Sequence, residues 1–200
     1  MTMNILVAGA TGKTGRQVLQ ALIDQGHKPT ALVRESSDTS DLPHDVDLRN
    51  GDLTDLPSDV CDKMDVVIFA AGSGGATSAE MTDKVDRDGA KKLVDFAARS
   101  GVKRYVMLSS VGADKVNPTG ELAHYLKAKH EADAHLKASG LTYAILRPVA
   151  LTDDARHEDV TLGDGVDKSA TAARADVAYL LAEAATTGRL DGQALNMQSS

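Results

Sequence analysis

The chain alternates short apolar runs with longer segments in which apolar residues recur at helical spacing. The first run, residues 4–8, leads into a glycine-rich turn and then into a helical pattern from Val18 to Ile23, with Gly26 as its stop. Further strands are expected at 30–33, 65–69, 104–108 and 143–146, and further helices at 82–100, 118–139 and 174–186.

The expected strands are apolar throughout and do not alternate with polar residues. Strands of this kind are buried on both faces, as in a parallel sheet that is covered by helices. We therefore predict a single α/β domain over residues 1–200, a Rossmann-like, doubly wound parallel sheet with helices on both faces. Such a sheet binds its ligands at the carboxyl ends of its strands.

The turn between the first strand and the first helix carries three regularly spaced glycines, Gly9, Gly12 and Gly15. Glycines at this junction let the backbone approach a pyrophosphate, and the start of the helix offers N–H groups and the positive end of its dipole. A nucleoside triphosphate loop would need glycine at Val7, so that motif is excluded. The predicted phosphate site comprises Gly9, Thr11, Gly12, Lys13, Thr14 and Gly15.

The end of the second strand distinguishes the two nicotinamide cofactors. An acidic residue there binds the ribose hydroxyls of NAD, whereas an arginine accommodates the 2′-phosphate of NADP. The strand ends at Arg34, and Lys13 adds a second cation nearby, although Glu35 follows at once. This pattern favours NADP over NAD.

Two later segments complete the expected cofactor site. Asp52 and Leu53 follow a short third strand and are placed to contact the adenine, with the Asp52 carboxylate as acceptor. Ala70, Ala71 and Gly72 follow the fourth strand, and their small size leaves room for the middle of the cofactor.

The composition excludes several classes of function. The net charge of −7 argues against binding to nucleic-acid phosphates. No apolar run approaches the roughly 20 residues that span a bilayer. The single cysteine, Cys61, can form neither an internal disulfide nor a metal site, and the six histidines lack metal-site spacing. We expect a cytoplasmic protein without a metal.

The helix expected at 118–139 carries Tyr125 and, four residues later, Lys129. At about 100° per residue, with Leu122 at zero, Tyr125 lies at about 300° and Lys129 at about 340°. Both then fall within the apolar stripe that faces the sheet, whereas Lys127 points away. A lysine within a buried stripe needs a role, and catalysis or cofactor binding is the expected one.

This pair suits proton transfer. An ammonium one helical turn from a phenol lowers the pKa of the phenol, which then acts as a general acid or base in carbonyl reduction or alcohol oxidation. The same ammonium can bond the nicotinamide ribose. Ser109 and Ser110 end the preceding strand, where a hydroxyl could polarise the substrate oxygen or could serve only as a cap.

Asp86 faces inward on the helix expected at 82–100, whereas Asp88 faces outward. An inward carboxylate is costly unless it is paired or hydrogen-bonded. We expect Asp86 to orient Lys129 or a water chain behind it.

The glycine loop, the Ser109-Ser110 pair, Tyr125…Lys129 and Leu146-Arg147-Pro148 together resemble the short-chain dehydrogenase/reductase superfamily. The likeness is strongest to its atypical branch of small NAD(P)-binding proteins, which includes proteins labelled as epimerases and NADH-flavin reductases. Residues 85–90 and 174–178 are similar to two helices of that branch. The resemblance implies that Ser109, Lys129 and Pro148 also contact the cofactor and that residues 149–169 form a substrate-side lid.

The sequence thus predicts an NADP-dependent oxidoreductase that acts between NADPH and a small carbonyl, quinone or flavin-like acceptor. Its expected catalytic residues are Ser110, Tyr125, Lys129 and Asp86. Two alternatives stay open: an NADP-binding redox sensor without catalysis, and a sugar epimerase or dehydratase. A homodimer also stays open.

Overall fold

The first apolar run forms a central strand, β1 (Asn4–Ala8), whose side chains divide between two cores. Ile5 and Val7 join one core, and Leu6 and Ala8 join the other. All four side chains are fully buried, as a run that is apolar on both faces requires. The structure, a computed structural model, describes residues 2–73 and 77–199.

The chain order of elements follows the alternation seen in the sequence. The remaining strands are β2 (Lys28–Val33), β3 (Asp47–Asn50), β4 (Val66–Phe69), β5 (Arg104–Leu108), β6 (Thr142–Pro148), β7 (Ala150–Thr152), β8 (Val160–Leu162), β9 (Thr171–Ala173) and β10 (Gln193–Ser199). The helices are α1 (Lys13–Asp24), α2 (Ala79–Thr82), α3 (Ala90–Arg99), α4 (Ala123–Ala138) and α5 (Arg174–Thr187), with a π-helical segment (Asp83–Gly89) between α2 and α3 and a 3₁₀ turn (Gly163–Gly165).

Within the described ranges, eight strands form one sheet in the order β3-β2-β1-β4-β5-β6-β10-β8. Its neighbouring strands are parallel except for β10 and β8. Helices α1 and α5 cover one face, and α3 and α4 cover the other. The order of the first six strands is that of the doubly wound dinucleotide-binding fold, so the predicted fold class is confirmed.

The helix expected at 82–100 is not regular. The chain is α-helical from Ala79, π-helical over Asp83–Gly89 and α-helical again to Arg99. A Cβ at Gly89 would lie 2.7 Å from the backbone oxygen of Leu53. Glycine therefore lets the π-helical segment pack directly on the loop that follows β3.

The helix expected at 118–139 begins only at Ala123. Gly120 has a φ of +90°, a left-handed conformation that interrupts a right-handed helix. Leu122 lies before the first turn and is 63% exposed, so its expected place in the buried stripe is wrong. Further along α4 the stripe is confirmed, since Lys129 is buried and Lys127 is exposed.

Four strands were not expected from the sequence: β7, β8, β9 and β10. Strand β10 is polar and mostly half-buried, because it lies near the edge of the sheet between β6 and β8. Strand β7 pairs with β9 in a separate two-stranded sheet. The segment 149–169 therefore carries two short strands, and one of them extends the main sheet.

No helix among the residues described is both long and apolar enough to cross a membrane.

Candidate active site

A cleft of about 420 Å³ opens at the carboxyl ends of β1 to β4. Small-molecule sites have volumes of about 300–1,000 Å³. Its walls come from the glycine loop and from the segments that follow β2, β3 and β4, which is where a doubly wound sheet binds its ligand. The lining residues that the sequence predicted are Gly9, Thr11, Gly12, Arg34, Asp52, Leu53, Ala70, Ala71 and Gly72.

The glycines of the loop allow close backbone packing, and Gly9 lies directly against the segment that follows β4. A Cβ at Gly9 would lie 2.5 Å from the backbone nitrogen of Ala71, and one at Gly15 would lie 2.0 Å from the backbone oxygen of Gly9. Gly12 precedes α1, and among the described side chains none caps that helix. Free N–H groups at the start of α1 fit a phosphate group.

The other end of the cleft carries two opposite charges. Arg34 is exposed at the end of β2, and Asp52 follows β3. The Asp52 Oδ1 atom accepts hydrogen bonds of 2.8 Å from the backbone N–H and the hydroxyl of Thr54. These two bonds, the backbone one first, and the nearby Arg34 hold the pKa of Asp52 below its usual value. Asp52 is thus an anion at neutral pH and is available as an acceptor.

Three residues of the expected phosphate site lie outside the cleft lining as the described residues define it. Thr14 and Gly15 are buried beneath the loop. The Lys13 ammonium donates to Asp153 Oδ2 at 2.5 Å, and Arg174 Nη1 donates to Asp153 Oδ1 at 2.5 Å. Lys13 is therefore tied to the segment 149–169 and not to the Arg34 side.

Lys129 and Asp86 form a buried ion pair behind the wall of the cleft. The Lys129 Nζ atom lies 2.9 Å from Asp86 Oδ1, with side-chain exposures of 3% and 0%. The same ammonium donates to the backbone oxygen of Ala71 at 3.3 Å. Asp86 Oδ2 accepts from the backbone N–H of Ser73 at 2.9 Å. The prediction that Asp86 faces inward, toward Lys129, is confirmed.

Tyr125 is half-buried one turn before Lys129, and its ring centre lies 5.7 Å from the ammonium. Burial by itself lowers the pKa of Lys129. Electrostatic interaction with Tyr125, Asp86 and Asp133 outweighs that effect and raises the pKa above its usual value. The ammonium therefore keeps its charge throughout the neutral range.

Three further predicted residues meet at the carboxyl ends of β5 and β6, next to β4 along the same edge of the sheet. Ser110 is half-buried, with its hydroxyl 3.4 Å from the backbone oxygen of Val111. Pro148 is buried, and its carbonyl accepts from the Val111 N–H at 3.0 Å. Ser109 is 4% exposed.

Several residues line the cleft that the sequence did not single out. Thr54 and Ser73 directly follow predicted residues, so the end-of-strand rule could have found them. Met81 and Val85 come from α2 and the π-helical segment, whose approach to the cleft depends on tertiary packing. The complete unexpected set is Leu32, Ser37, Thr54, Ser73, Thr77, Met81 and Val85.

Known proteins resemble the chain in both sequence and structure. A family model described as NAD(P)H-binding matches residues 9–187. A Bacillus subtilis relative, named uncharacterized sugar epimerase YhfK, is 35% identical over 158 residues, which cover 76% of this chain and 74% of the relative. The matched range of the family model includes the glycine loop, the cleft and the pair Tyr125 and Lys129.

Two solved structures superpose on nearly the whole chain. A Bacillus halodurans protein, described provisionally as an NAD-dependent epimerase/dehydratase, has a TM-score of 0.90 at 33% identity and covers 99% of this chain and 94% of its own. The oxidoreductase ylbE from Lactococcus lactis has a TM-score of 0.86 at 30% identity and covers 99% of this chain and 91% of its own.

Proposed function

The chain belongs to the NAD(P)H-binding family, and we propose that it is an NADP-dependent oxidoreductase. It transfers hydride between NADPH and a small carbonyl, quinone or flavin-like acceptor. The observation that carries this proposal is the 3.3 Å contact between the Lys129 ammonium and the carbonyl of Ala71, a residue of the cleft wall. This contact joins Lys129, one helical turn from Tyr125, to the wall of the cleft, which supports a role for the pair at that site.

The residues of the cleft fit a nicotinamide dinucleotide. Gly9 and Gly12 leave the backbone bare beside the start of α1, where the pyrophosphate would bind. Asp52 and Leu53 would hold the adenosine, and the small residues 70–72 would admit the middle of the molecule. When bound, the cofactor supplies the hydride.

Arg34 supports the preference for NADP. Its guanidinium is exposed at the end of β2, where it lines the cleft near Asp52. A guanidinium makes charge-assisted hydrogen bonds to a phosphate, whereas the ribose hydroxyls of NAD gain little from it. The neighbouring Glu35 is exposed and acidic. Arg34 nevertheless supplies a positive charge that can bind the 2′-phosphate.

In the proposed reaction, Tyr125 donates its phenolic proton to the oxygen of the reduced acceptor. The Lys129 ammonium stabilises the phenolate that forms, and Asp86 holds that ammonium in place through the 2.9 Å ion pair. Ser110 polarises the acceptor oxygen from the end of β5. The burial of Lys129 and Asp86 strengthens their interaction, because little solvent screens it.

Replacing Tyr125 with phenylalanine tests this assignment. We expect Tyr125→Phe to lower turnover of NADPH with a responsive acceptor by about 10²-fold or more, because general acid catalysis contributes that much. The affinity for NADPH should stay unchanged, since the phenol does not line the cleft as the described residues define it. The control is Tyr143→Phe, the same chemical change near the amino end of β6. Unchanged turnover in Tyr125→Phe would overturn the proposal.

A sugar epimerase is the second candidate, and the names of the relatives favour it. An epimerase would interconvert a sugar without net oxidation of NADPH, so product analysis in the same screen separates the two activities. Tight binding of NADPH with no turnover of any acceptor would instead support a redox sensor.

A further inference from the structure

Asp176 is a buried carboxylate that the proposed reaction does not use. It lies in the first turn of α5, where the positive end of the helix dipole favours an acidic side chain. The residue is only 1% exposed. A carboxylate in such a place is costly unless hydrogen-bond donors surround it. The groups that supply those donors are therefore held in place by Asp176.

Two of the donors are consecutive backbone N–H groups of one loop. Asp176 Oδ1 accepts from the N–H of His157 at 3.2 Å and from the N–H of Glu158 at 3.2 Å. Asp176 Oδ2 accepts from the Ser199 hydroxyl at 2.6 Å. The Ser199 oxygen in turn accepts from the N–H of Ala173 at 2.9 Å. The carboxylate thus joins this loop to β9 and β10.

The anchored loop, residues 153–159, connects β7 to β8, and all of its side chains are exposed. Its two ends are fixed, because β7 pairs with β9 and β8 pairs with β10. Between these ends, the Arg156 guanidinium lies 3.6 Å from the ring centre of Tyr179 on α5. The backbone of an exposed loop is therefore tied to a buried carboxylate of the core.

Glu158 adopts a left-handed backbone conformation, with a φ of +66°. Residues other than glycine rarely take this conformation, because it brings the Cβ atom close to the backbone. A strained residue of this kind persists only where its surroundings hold it. The hydrogen bond from its own N–H to Asp176 does so, and without that bond the loop is free to relax.

The anchored loop borders the acceptor side of the site. Its first residue, Asp153, accepts from the Lys13 ammonium beside the glycine loop. The strand before it, β7, follows Pro148, whose carbonyl accepts from the N–H of Val111, next to Ser110. The segment therefore runs from the carboxyl end of β6 to the glycine loop.

We propose that Asp176 is a positioning residue that holds the anchored loop closed over the acceptor side of the site. The inference rests on the proposed function, which supplies the acceptor. Loss of the two backbone hydrogen bonds lets the loop open, so the acceptor binds less tightly. The chemical step, which Tyr125 and Lys129 carry, stays the same.

Limited digestion with trypsin measures the opening of the loop without any turnover. Trypsin cleaves after arginine and lysine, and the bond after Arg156 contains the N–H of His157 that is donated to Asp176. Cleavage there requires this hydrogen bond to break, so its rate follows the population of the open loop. Cleavage after Lys168, which is exposed outside the loop, is the internal reference.

We expect Asp176→Ala to speed cleavage after Arg156 by about tenfold or more relative to Lys168, because a hydrogen bond to a charged group is worth that factor. Asp176→Asn keeps one acceptor oxygen and should be intermediate. The control Asp191→Ala removes a carboxylate that accepts two bonds from Arg104 at the amino end of β5, and it should match the wild type. If Asp176→Ala does not fold, Asp176→Asn alone should show an increase of a few-fold.

Steady-state kinetics separate positioning from a general loss of stability. With menadione, a small uncharged quinone, as the acceptor, we expect Asp176→Ala to raise the KM for the quinone by about tenfold, because the closed loop is less populated. The KM for NADPH and kcat should change by less than about twofold. A merely structural role would instead lower the fraction of active protein, and so lower kcat with both KM values unchanged.

Wild-type protection of Arg156 in Asp176→Ala, or faster cleavage with an unchanged KM for the quinone, would overturn the inference. Failure of the proposed function gives a different result. A wild-type protein that reduces no acceptor would refute the oxidoreductase, whereas the rate of cleavage after Arg156 still decides whether Asp176 holds the loop.

Discussion

Gly9 and Gly26 have the same left-handed backbone angle, a φ of +80°, in very different surroundings. A Cβ at Gly9 would lie 2.5 Å from the nitrogen of Ala71, whereas a Cβ at Gly26 would meet nothing within 4 Å. We expect Gly26→Ala to cost about 1–2 kcal/mol of folding free energy from backbone strain alone. Gly9→Ala must also displace the wall after β4, so it should cost roughly 3 kcal/mol or more.

Urea denaturation of the two variants measures the difference. Equal losses of stability would contradict the close packing of the loop on that wall. Gly9→Ala should in addition weaken NADPH binding, whereas Gly26→Ala, at the far end of α1, should leave it unchanged.

Single residues were predictable where their role depends on local geometry. The glycine spacing and the inward direction of Lys129 follow from a turn and a helical period, and both match the structure. The predicted place of Leu122 in the buried stripe was wrong because the left-handed turn at Gly120 makes α4 begin after Leu122. The buried ion pair between Asp133 on α4 and Arg147 on β6, 2.9 Å apart, joins a helix to a strand, so local periodicity carries no signal for it.

Among the elements, the segment 149–169 has a specific attachment to the glycine loop. The Asp153 carboxylate bridges Lys13 at the start of α1 and Arg174 at the start of α5. Exposed ion pairs of this kind are weak and are readily exchanged. If a cofactor phosphate recruits Lys13, Asp153 competes with it for the same ammonium.

We therefore expect Asp153→Asn to tighten NADPH binding by a few-fold, because the substitution releases Lys13. The control is Asp154→Asn, which removes the same charge from the next, exposed position. Calorimetric titration of both variants measures the effect. Weaker binding in Asp153→Asn than in Asp154→Asn would contradict the competition between Asp153 and the cofactor for Lys13.

The elements themselves were predictable from periodicity, but their irregularities were not. A helical period of constant angle contains no π-helical turn, whereas Asp83–Gly89 forms one, and Gly89 packs there directly against the backbone oxygen of Leu53. Asp86 still faces inward, since only part of the span between Asp86 and the buried Leu93 is π-helical. Helical periodicity therefore predicted the inward direction of the Asp86 carboxylate, but it did not predict the π-helical backbone from which that side chain projects.

For the whole molecule, the alternation of strands and helices predicted the parallel sheet and the edge at which the cleft opens. It did not predict β10, whose sequence is largely polar and half-buried, or the antiparallel β8, which is only three half-buried residues long. Arg34 and Asp52 were predictable as lining residues of the cleft because they come just after β2 and β3. The contribution of α2 and the π-helical segment to the cleft needed the tertiary structure.

The most direct test of an NADP-dependent enzyme is calorimetric titration of the purified protein with NADPH and with NADH. We expect NADPH to bind about tenfold tighter or more, because Arg34 gives a charge-assisted bond to the 2′-phosphate. Arg34→Ala should abolish this difference. Lys137→Ala, which removes a charge from the exposed far end of α4, should preserve it. Equal affinity for both cofactors in the wild-type protein, or binding of neither, would contradict the assignment.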